Sequence, residues 1–359
     1  IAWERMQYVA DTKQQALTWL NLTGDDRLVR LAIEDFDNSR VPFGLTQARY
    51  PAYLEQFTAS YSLYWASMVH DYWIYRGDDE FTRRFLPGIG GVLGWWQQQM
   101  KTTPEDQPVT YSRSPVPITD RFVFALTLKE SAELFEHFGQ NDQAAHYREL
   151  AEKINRETYA SHFDTQSGFV RDTPKLGATQ EVNALAVLSD AVPRDAQREL
   201  LERMLADPNV KPGPARFMFF RFELGRALKK TGLGDRFVQT LGPWNDMIRD
   251  GMTTLAEFPQ HSRSDCHPWA ASPAYEFLST IAGIEPGSPG FKTARIEPSL
   301  GTLQHVHARM PHPLGPIEVW LDRSGEGLHA HVVLPPGLTG VFVWKGREQP
   351  VSGTADFKF

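Results

Sequence analysis

Cysteine is almost absent: Cys266 is the only one in 359 residues. That excludes an intrachain disulfide and any zinc cluster built on thiolates. It does not fix a compartment, because many proteins of oxidising compartments also lack disulfides. No apolar run is long enough to cross a bilayer as a helix, and no block of Lys or Arg offers a phosphate-tracking stripe. With a formal net charge of −7 and both signs interspersed, neither membrane nor nucleic acid is an expected partner. The G-x-x-x-x-G-K-[ST], G-x-S-x-G and H-E-x-x-H signatures are missing too. His70, His305 and His307 show no three-ligand metal spacing, so no metal and no cofactor is implied. Aromatic residues, by contrast, are plentiful at 12%, with ten Trp. Core packing accounts for most of them, but sugar clefts are also lined by aromatic faces, and composition leans toward a carbohydrate ligand.

The length allows one large core and a second, smaller domain. From Gln7 to about Ile281 the apolar spacing is mostly helical. In "DDRLVRLAIEDFDNSR" the residues Leu28, Leu31, Ala32 and Phe36 form one stripe, whereas "FTASYSLYWASMVHDYWIYRG" is apolar nearly all round and predicts burial on both sides. About eleven such segments follow one another, among them "DDEFTRRFLPGIGGVLGWWQQQM" and "LGDRFVQTLGPWNDMIRDG". Turns at Gly24-Asp25, Gly77-Asp78 and Gln140-Asn141-Asp142 join a buried helix to an amphipathic one. Antiparallel helix pairs in this number suit a double-layered α/α toroid, with a solenoid as the alternative. After Ile284 the pattern changes to short alternating runs cut by Gly and Pro, which read as antiparallel β. The expected layout is a helical domain over 1–284 and a small β-sandwich over 285–359.

Two stretches carry chemistry. In "WERMQYVAD" the residues Glu4, Tyr8 and Asp11 are spaced to share one helix face. A carboxyl set among rings is held protonated and suits a general acid; the plain alternative is a polar surface stripe. In "GMTTLAEFPQHSRSDCHPWAASP", Glu257 is followed by Asp265, His267 and Trp269. Asp265 is placed to orient His267, and Trp269 to stack on a sugar face. The plain alternative is a Ser-rich loop, ending in an N-cap at Ser272 with Pro273 behind it. Cys266 as a nucleophile would need a partner base, and adjacency in sequence does not bring its side chain to that of His267.

These stretches, with "GLTQARYP" and "SRSDCHPWAASPAYEFLSTIAGIEPGSPGFKTARIEPSLG", resemble the α-L-rhamnosidases of glycoside hydrolase family 78 in their bacterial six-hairpin form, over nearly the whole chain. The resemblance implies a mainly α fold, an (α/α)6 barrel carrying the active site, followed by a small β-sandwich. It implies an inverting hydrolase of carbohydrate substrates bearing terminal α-L-rhamnose, with Glu4 as general acid and Glu257 as general base, carboxyls roughly 6.5–9.5 Å apart. Asp11, His267 and Trp269 match sugar-contacting positions, and Tyr8 stands where many members carry Trp. Ala10 replaces the usual Gly before Asp11. The family's usual lead-in to the acid is not in this sequence, nor are its N-terminal β-domains, which are expected upstream in the parent chain. The loop "QPVTYSRSPVPITDR" lacks the acidic and Trp pattern often found there. A six-hairpin glycosidase acting on another sugar, and a relative that binds sugar without cleaving it, are the alternatives. The sequence does not give the compartment; a periplasmic or secreted setting is slightly favoured over a cytoplasmic one.

Overall fold

A computed structural model describes the chain except residues 1–5, 105–106, 113–116, 174–176, 212–217 and 260–261. The helices are α1 (Val9–Thr23), α2 (Arg27–Asn38), α3 (Ala59–Arg76), α4 (Asp79–Arg83), α5 (Leu86–Thr102), α6 (Pro117–His137), α7 (Asn141–His162), α8 (Gln180–Leu188), α9 (Arg194–Ala206), α10 (Phe219–Lys230), α11 (Gly242–Arg249) and α12 (Ser272–Glu276). A wide helical turn, Phe277–Ile281, extends α12. Contacts run from α1 to α3, then α6, α8, α10, α12 and back to α1, which closes an inner ring. On its outside α2 touches both α1 and α3, and α5 touches both α3 and α6. This is the α/α barrel expected from the paired helices; contacts closing from α12 onto α1 rule out the solenoid.

The inner helices all point the same way. Near their N-termini the Gln14 amide of α1 donates to the Phe219 carbonyl of α10 at 3.0 Å. At their C-termini Lys230 of α10 donates to the Val187 and Leu188 carbonyls of α8, at 2.6 and 3.1 Å. Lys229 likewise reaches the Ser279 carbonyl. Lysines here satisfy carbonyls that a helix end leaves unpaired and sit at the negative end of the dipole.

α3 is buried nearly all round, as its composition requires. α2 differs in phase from the expected stripe: Val29, Ala32, Ile33 and Phe36 face the core, while Leu28 and Leu31 are exposed. Val29, Ile33 and Phe36 form an equally good apolar row, and periodicity alone does not choose between two overlapping rows. The segment from Asp79 to Met100 is two helices, because Pro87 cannot donate within a helix and instead sits in the first turn of α5. The stretch from Gly234 likewise splits into a 3-10 turn (Gly234–Thr240) and α11.

Between α7 and α8 lies a small sheet that the periodicity did not reveal, formed by β1 (Phe163–Asp164), β2 (Phe169–Thr173) and β3 (Gly177–Ala178). Its strands are too short to show alternation. The C-terminal part contains β4 (Ile284–Pro286), β5 (Thr293–Ile296), β6 (His305–Met310), β7 (Ile317–Ser324), β8 (Gly327–Val333), β9 (Thr339–Trp344), β10 (Arg347–Ser352) and β11 (Thr354–Lys358). They form two four-stranded sheets, β10-β9-β5-β4 and β11-β8-β7-β6. One pairing, β5 with β9, is parallel, so the sandwich is not wholly antiparallel. Phe342 of one sheet stacks on Phe357 of the other at 4.9 Å, joining the inner faces. At the junction with the barrel, Gly77 ends α3 with φ +64°, and a Cβ there would lie 2.7 Å from the Gly290 Cα. Only glycine permits that approach.

Ions lie inside the ring. Lys13 of α1, 3% exposed, is 3.8 Å from Asp71 and 3.9 Å from Glu223. Arg226 is 3.3 Å from Glu223 and 3.7 Å from Glu130. Removing one partner leaves a buried charge uncompensated, at a cost of about 3–5 kcal/mol. Lys13→Ala is therefore expected to lower unfolding stability in urea by about that amount. A loss below about 1 kcal/mol would show that these ions are as easily solvated as surface ones.

Candidate active site

The parallel inner helices bring their N-termini to one end of the barrel, and Asp11, His267 and Trp269 meet there beside the loop that carries Glu257. Asp11 lies in the first turn of α1 and is buried. The helix starts only at Val9, so the helical face shared by Glu4, Tyr8 and Asp11 does not exist at Tyr8. That residue is extended and pairs with Arg49 as a β-bridge. Its hydroxyl accepts from the Arg49 guanidinium at 3.2 Å. The bridge wins because the segment before α1 docks on the loop before α3: Val9 N–H donates to the Ala48 carbonyl and Tyr50 N–H to the Gln7 carbonyl. Glu4 lies outside the described residues.

The second stretch forms a folded-back loop. Glu257 N–H donates to the Ser264 carbonyl at 2.9 Å and His267 N–H to the Leu255 carbonyl at 2.8 Å. The Thr254 hydroxyl donates to the Asp265 carbonyl. Within this frame the Trp269 indole N–H donates to the Glu257 carbonyl at 3.2 Å. The His267 ring lies 4.1 Å from the Trp269 ring, centroid to centroid. Gln15 of α1 donates to the Pro268 carbonyl at 2.6 Å, fastening the loop to the helix that carries Asp11.

His267 is oriented by a different acid from the one expected. Its Nε2 stands 3.0 Å from Asp11 Oδ1, both side chains being buried. The alignment is that of an ion-pair contact rather than a hydrogen bond, since neither atom has a hydrogen-bond partner. Asp265, two residues away on a bend, meets Thr254 through its carbonyl instead. The structure thus joins residues 256 positions apart (267 − 11), which local spacing cannot report. Ser272 is also not a cap: a 3-10 turn, Pro268–Ala271, runs directly into α12, and Ser272 is its first residue. Cys266 is exposed, whereas His267 is buried against Asp11.

Several residues at this end gave no sequence signal. Tyr64 of α3 and Phe219 of α10 meet at 5.5 Å, and Phe219 meets Trp269 at 5.6 Å, continuing the aromatic row across the ring. Asp120, in the first turn of α6, accepts from the Ser112 hydroxyl at 2.5 Å. A carboxylate in a first helical turn is favoured by the dipole. Asp172 on β2 is buried, and burial pushes its carboxyl up to about 7 despite a hydrogen bond from Thr179. Arg263 grips Glu257: its Nε donates to Oε2 at 2.7 Å and a terminal nitrogen donates to Oε1 at 2.9 Å. No group of three or more His, Cys, Asp or Glu among the described residues is arranged to hold a metal.

A toroid of helix pairs with carboxylates, an imidazole and an indole gathered at its N-terminal mouth is the architecture of the six-hairpin class. The chain belongs to the family of the bacterial alpha-L-rhamnosidase 6 hairpin glycosidase domain, whose model matches residues 2–281; the alpha-L-rhamnosidase C-terminal domain matches residues 283–354. An alpha-L-rhamnosidase of Alteromonas sp. (strain LOR) is 27% identical over 64% of this chain, which spans 26% of that protein. The GH78 rhamnosidase of Bacillus sp. GL1 superposes with a TM-score of 0.84 at 18% identity, covering 95% of this chain and 39% of its own. The Streptomyces avermitilis alpha-L-rhamnosidase complexed with L-rhamnose gives 0.83 at 19% identity, covering 99% and 38%. The chain thus spans well under half the length of these relatives.

The raised carboxyl of Asp172 has a consequence for stability. In the unfolded chain it ionises near 3.8, in the folded one near 7. Between these values the folded state holds the extra proton, so stability falls as pH rises through that window. Asp172→Asn should remove that fall. Relative to the parent, the variant should gain roughly 3–4 kcal/mol between pH 4 and pH 7, read from urea midpoints at several pH values. Parallel pH profiles for the two proteins would mean that Asp172 ionises normally.

Proposed function

We propose that this chain is the catalytic core of an inverting α-L-rhamnosidase, releasing terminal α-L-rhamnose from glycosides or polysaccharides. The observation that carries this reading is the meeting of Asp11, His267, Trp269 and Glu257 at one mouth of a six-hairpin barrel. Family membership and the rhamnose complex of the Streptomyces relative support the sugar. Fold alone would not, since one fold hosts many chemistries.

In this reading Asp11 and His267 hold sugar hydroxyls, and Trp269 closes an apolar wall while fixing the backbone of the base. Tyr8 lines the entrance beside Arg49. The Glu257 carboxylate takes a proton from a water, whose oxygen attacks the anomeric carbon. The bond to the leaving oxygen breaks, and Glu4 gives that oxygen its proton. Glu4 stands just upstream of the bonds that tie Gln7 and Val9 to the Ala48–Tyr50 loop. An acid must be held within fractions of an ångström, and that anchor is what the role requires.

Glu257→Gln is expected to lower kcat on an aryl α-L-rhamnoside by about 10²–10⁴-fold. Proton NMR during turnover should show the β-anomer of rhamnose first; the α-anomer appearing first would mean retention and end the two-carboxylate assignment. Glu4→Gln should nearly abolish cleavage of poor leaving groups while sparing activated aryl rhamnosides to a greater degree. Equal losses on both classes would remove the acid role from Glu4.

A further inference from the structure

Asp11 and His267 come to the site on separate pieces of chain. Asp11 rides on α1, and His267 on the loop that leads into α12. That loop is one unit: backbone bonds join Glu257 to Ser264 and His267 to Leu255, and Trp269 donates to the Glu257 carbonyl. A displacement of the loop therefore carries His267 and Trp269 together and changes the 3.0 Å gap between His267 Nε2 and Asp11 Oδ1.

Three consecutive side chains tie α1 to different neighbours. Lys13 lies 3.8 Å from Asp71 of α3 and 3.9 Å from Glu223 of α10. The Gln14 amide donates to the Phe219 carbonyl at 3.0 Å, and the half-buried Gln15 donates to the Pro268 carbonyl at 2.6 Å. Among the described residues this last bond is the one hydrogen bond between α1 and the loop. Gln15 follows Asp11 by one helical turn, so the two share a face of α1, and Pro268 follows His267 directly. One short bond thus joins the two pieces right beside the pair.

That pair has hydrogen-bonding capacity to spare. Both side chains are buried, and neither the two His267 nitrogens nor Asp11 Oδ1 has a hydrogen-bond partner. A ligand that bridges them needs both groups within hydrogen-bond reach at once, about 2.7–3.2 Å, so the spacing between α1 and the loop decides how well it is held.

Resting on the rhamnosidase reading above, we propose that Gln15 is a positioning residue for rhamnose binding: by holding the Pro268 carbonyl, its amide sets the distance between Asp11 and His267. Gln15 lies outside the stretches that carry the family resemblance. Its loss weakens the hold on ground state and transition state alike, and such a loss falls on KM.

The test follows an aryl α-L-rhamnoside with the unmodified protein and two variants. Gln15→Glu keeps the size of the side chain. Ionised, the introduced carboxylate cannot donate to a carbonyl; protonated, below the ordinary glutamate value of about 4.3, it can. Near pH 7.5 this variant should show a KM about tenfold above that of the unmodified protein, with kcat within about threefold. Near pH 4 the KM ratio should fall below about two as the carboxyl gains its proton. Each ratio is taken at one pH, so titrations common to both proteins cancel. Gln15→Met has no donor at any pH and should show the raised KM at both. Circular dichroism at each pH checks that the variants are folded in the assay, and if Gln15→Glu is not, Gln15→Met decides at pH 7.5. A KM for Gln15→Met within about twofold of the unmodified value, a loss that falls on kcat alone, or a Gln15→Glu ratio that ignores pH would each overturn the clamp and leave the rhamnosidase reading intact. Failure of the unmodified protein to release rhamnose would instead overturn that reading, and the clamp with it.

Discussion

Six inner helices running in parallel impose one constraint on everything else: their dipoles cannot cancel within the ring. One end collects N-termini and the other C-termini. The side chains follow that polarity. Asp11 and Asp120 occupy first turns at the N-terminal mouth, with the Glu257 loop fastened beside them. Lys229 and Lys230 cover carbonyls at the other end. An isolated helix would satisfy its ends with water; a closed ring must do so with side chains from its neighbours. The bonds that cap one helix thereby lock the next.

The same closure explains the ions along the axis. Seen from its centre, the inner helices α1, α3, α6 and α10 present charged side chains to one shared space. Lys13, Asp71, Glu223, Arg226 and Glu130 fill it in alternating sign. Toward the C-terminal end the axis opens into a cavity of about 560 Å³ that Tyr75, Arg226, Tyr275 and Glu276 help to line. There burial pushes the Glu276 carboxyl up to about 7, against a hydrogen bond from Thr280. Gly225 makes room for it, since a Cβ at that position would come within 2.4 Å of the carboxylate. Buried ion pairs of this kind often add no more stability than apolar packing would.

Much of this was legible in sequence because it depends on local rules. The buried α3 is apolar all round, Gly24 and Gly77 end their helices in the left-handed region, and the shift to period-two alternation after Ile284 marks the sandwich. What was not legible depends on pairings far apart in the chain. The choice of Asp11 over Asp265 as the partner of His267 is made by ring closure, which sets α1 beside the loop before α12. The phase of α2 is likewise set by what it packs on, not by its own pattern. The parallel β5–β9 pair requires a crossover that alternation cannot encode. Glu257 was found through family resemblance; nothing in its spacing announced that Arg263 would close over it.

That last pair separates the residues a family shares from what one member does with them. A carboxylate at the right place is necessary for a base, but its availability is decided by its neighbours. Here the neighbour is a cation on the solvent side of a loop, bonded to both oxygens of an acid that burial and backbone bonds hold still. The pairing keeps the Glu257 charge compensated while no substrate is present, which a buried anion requires.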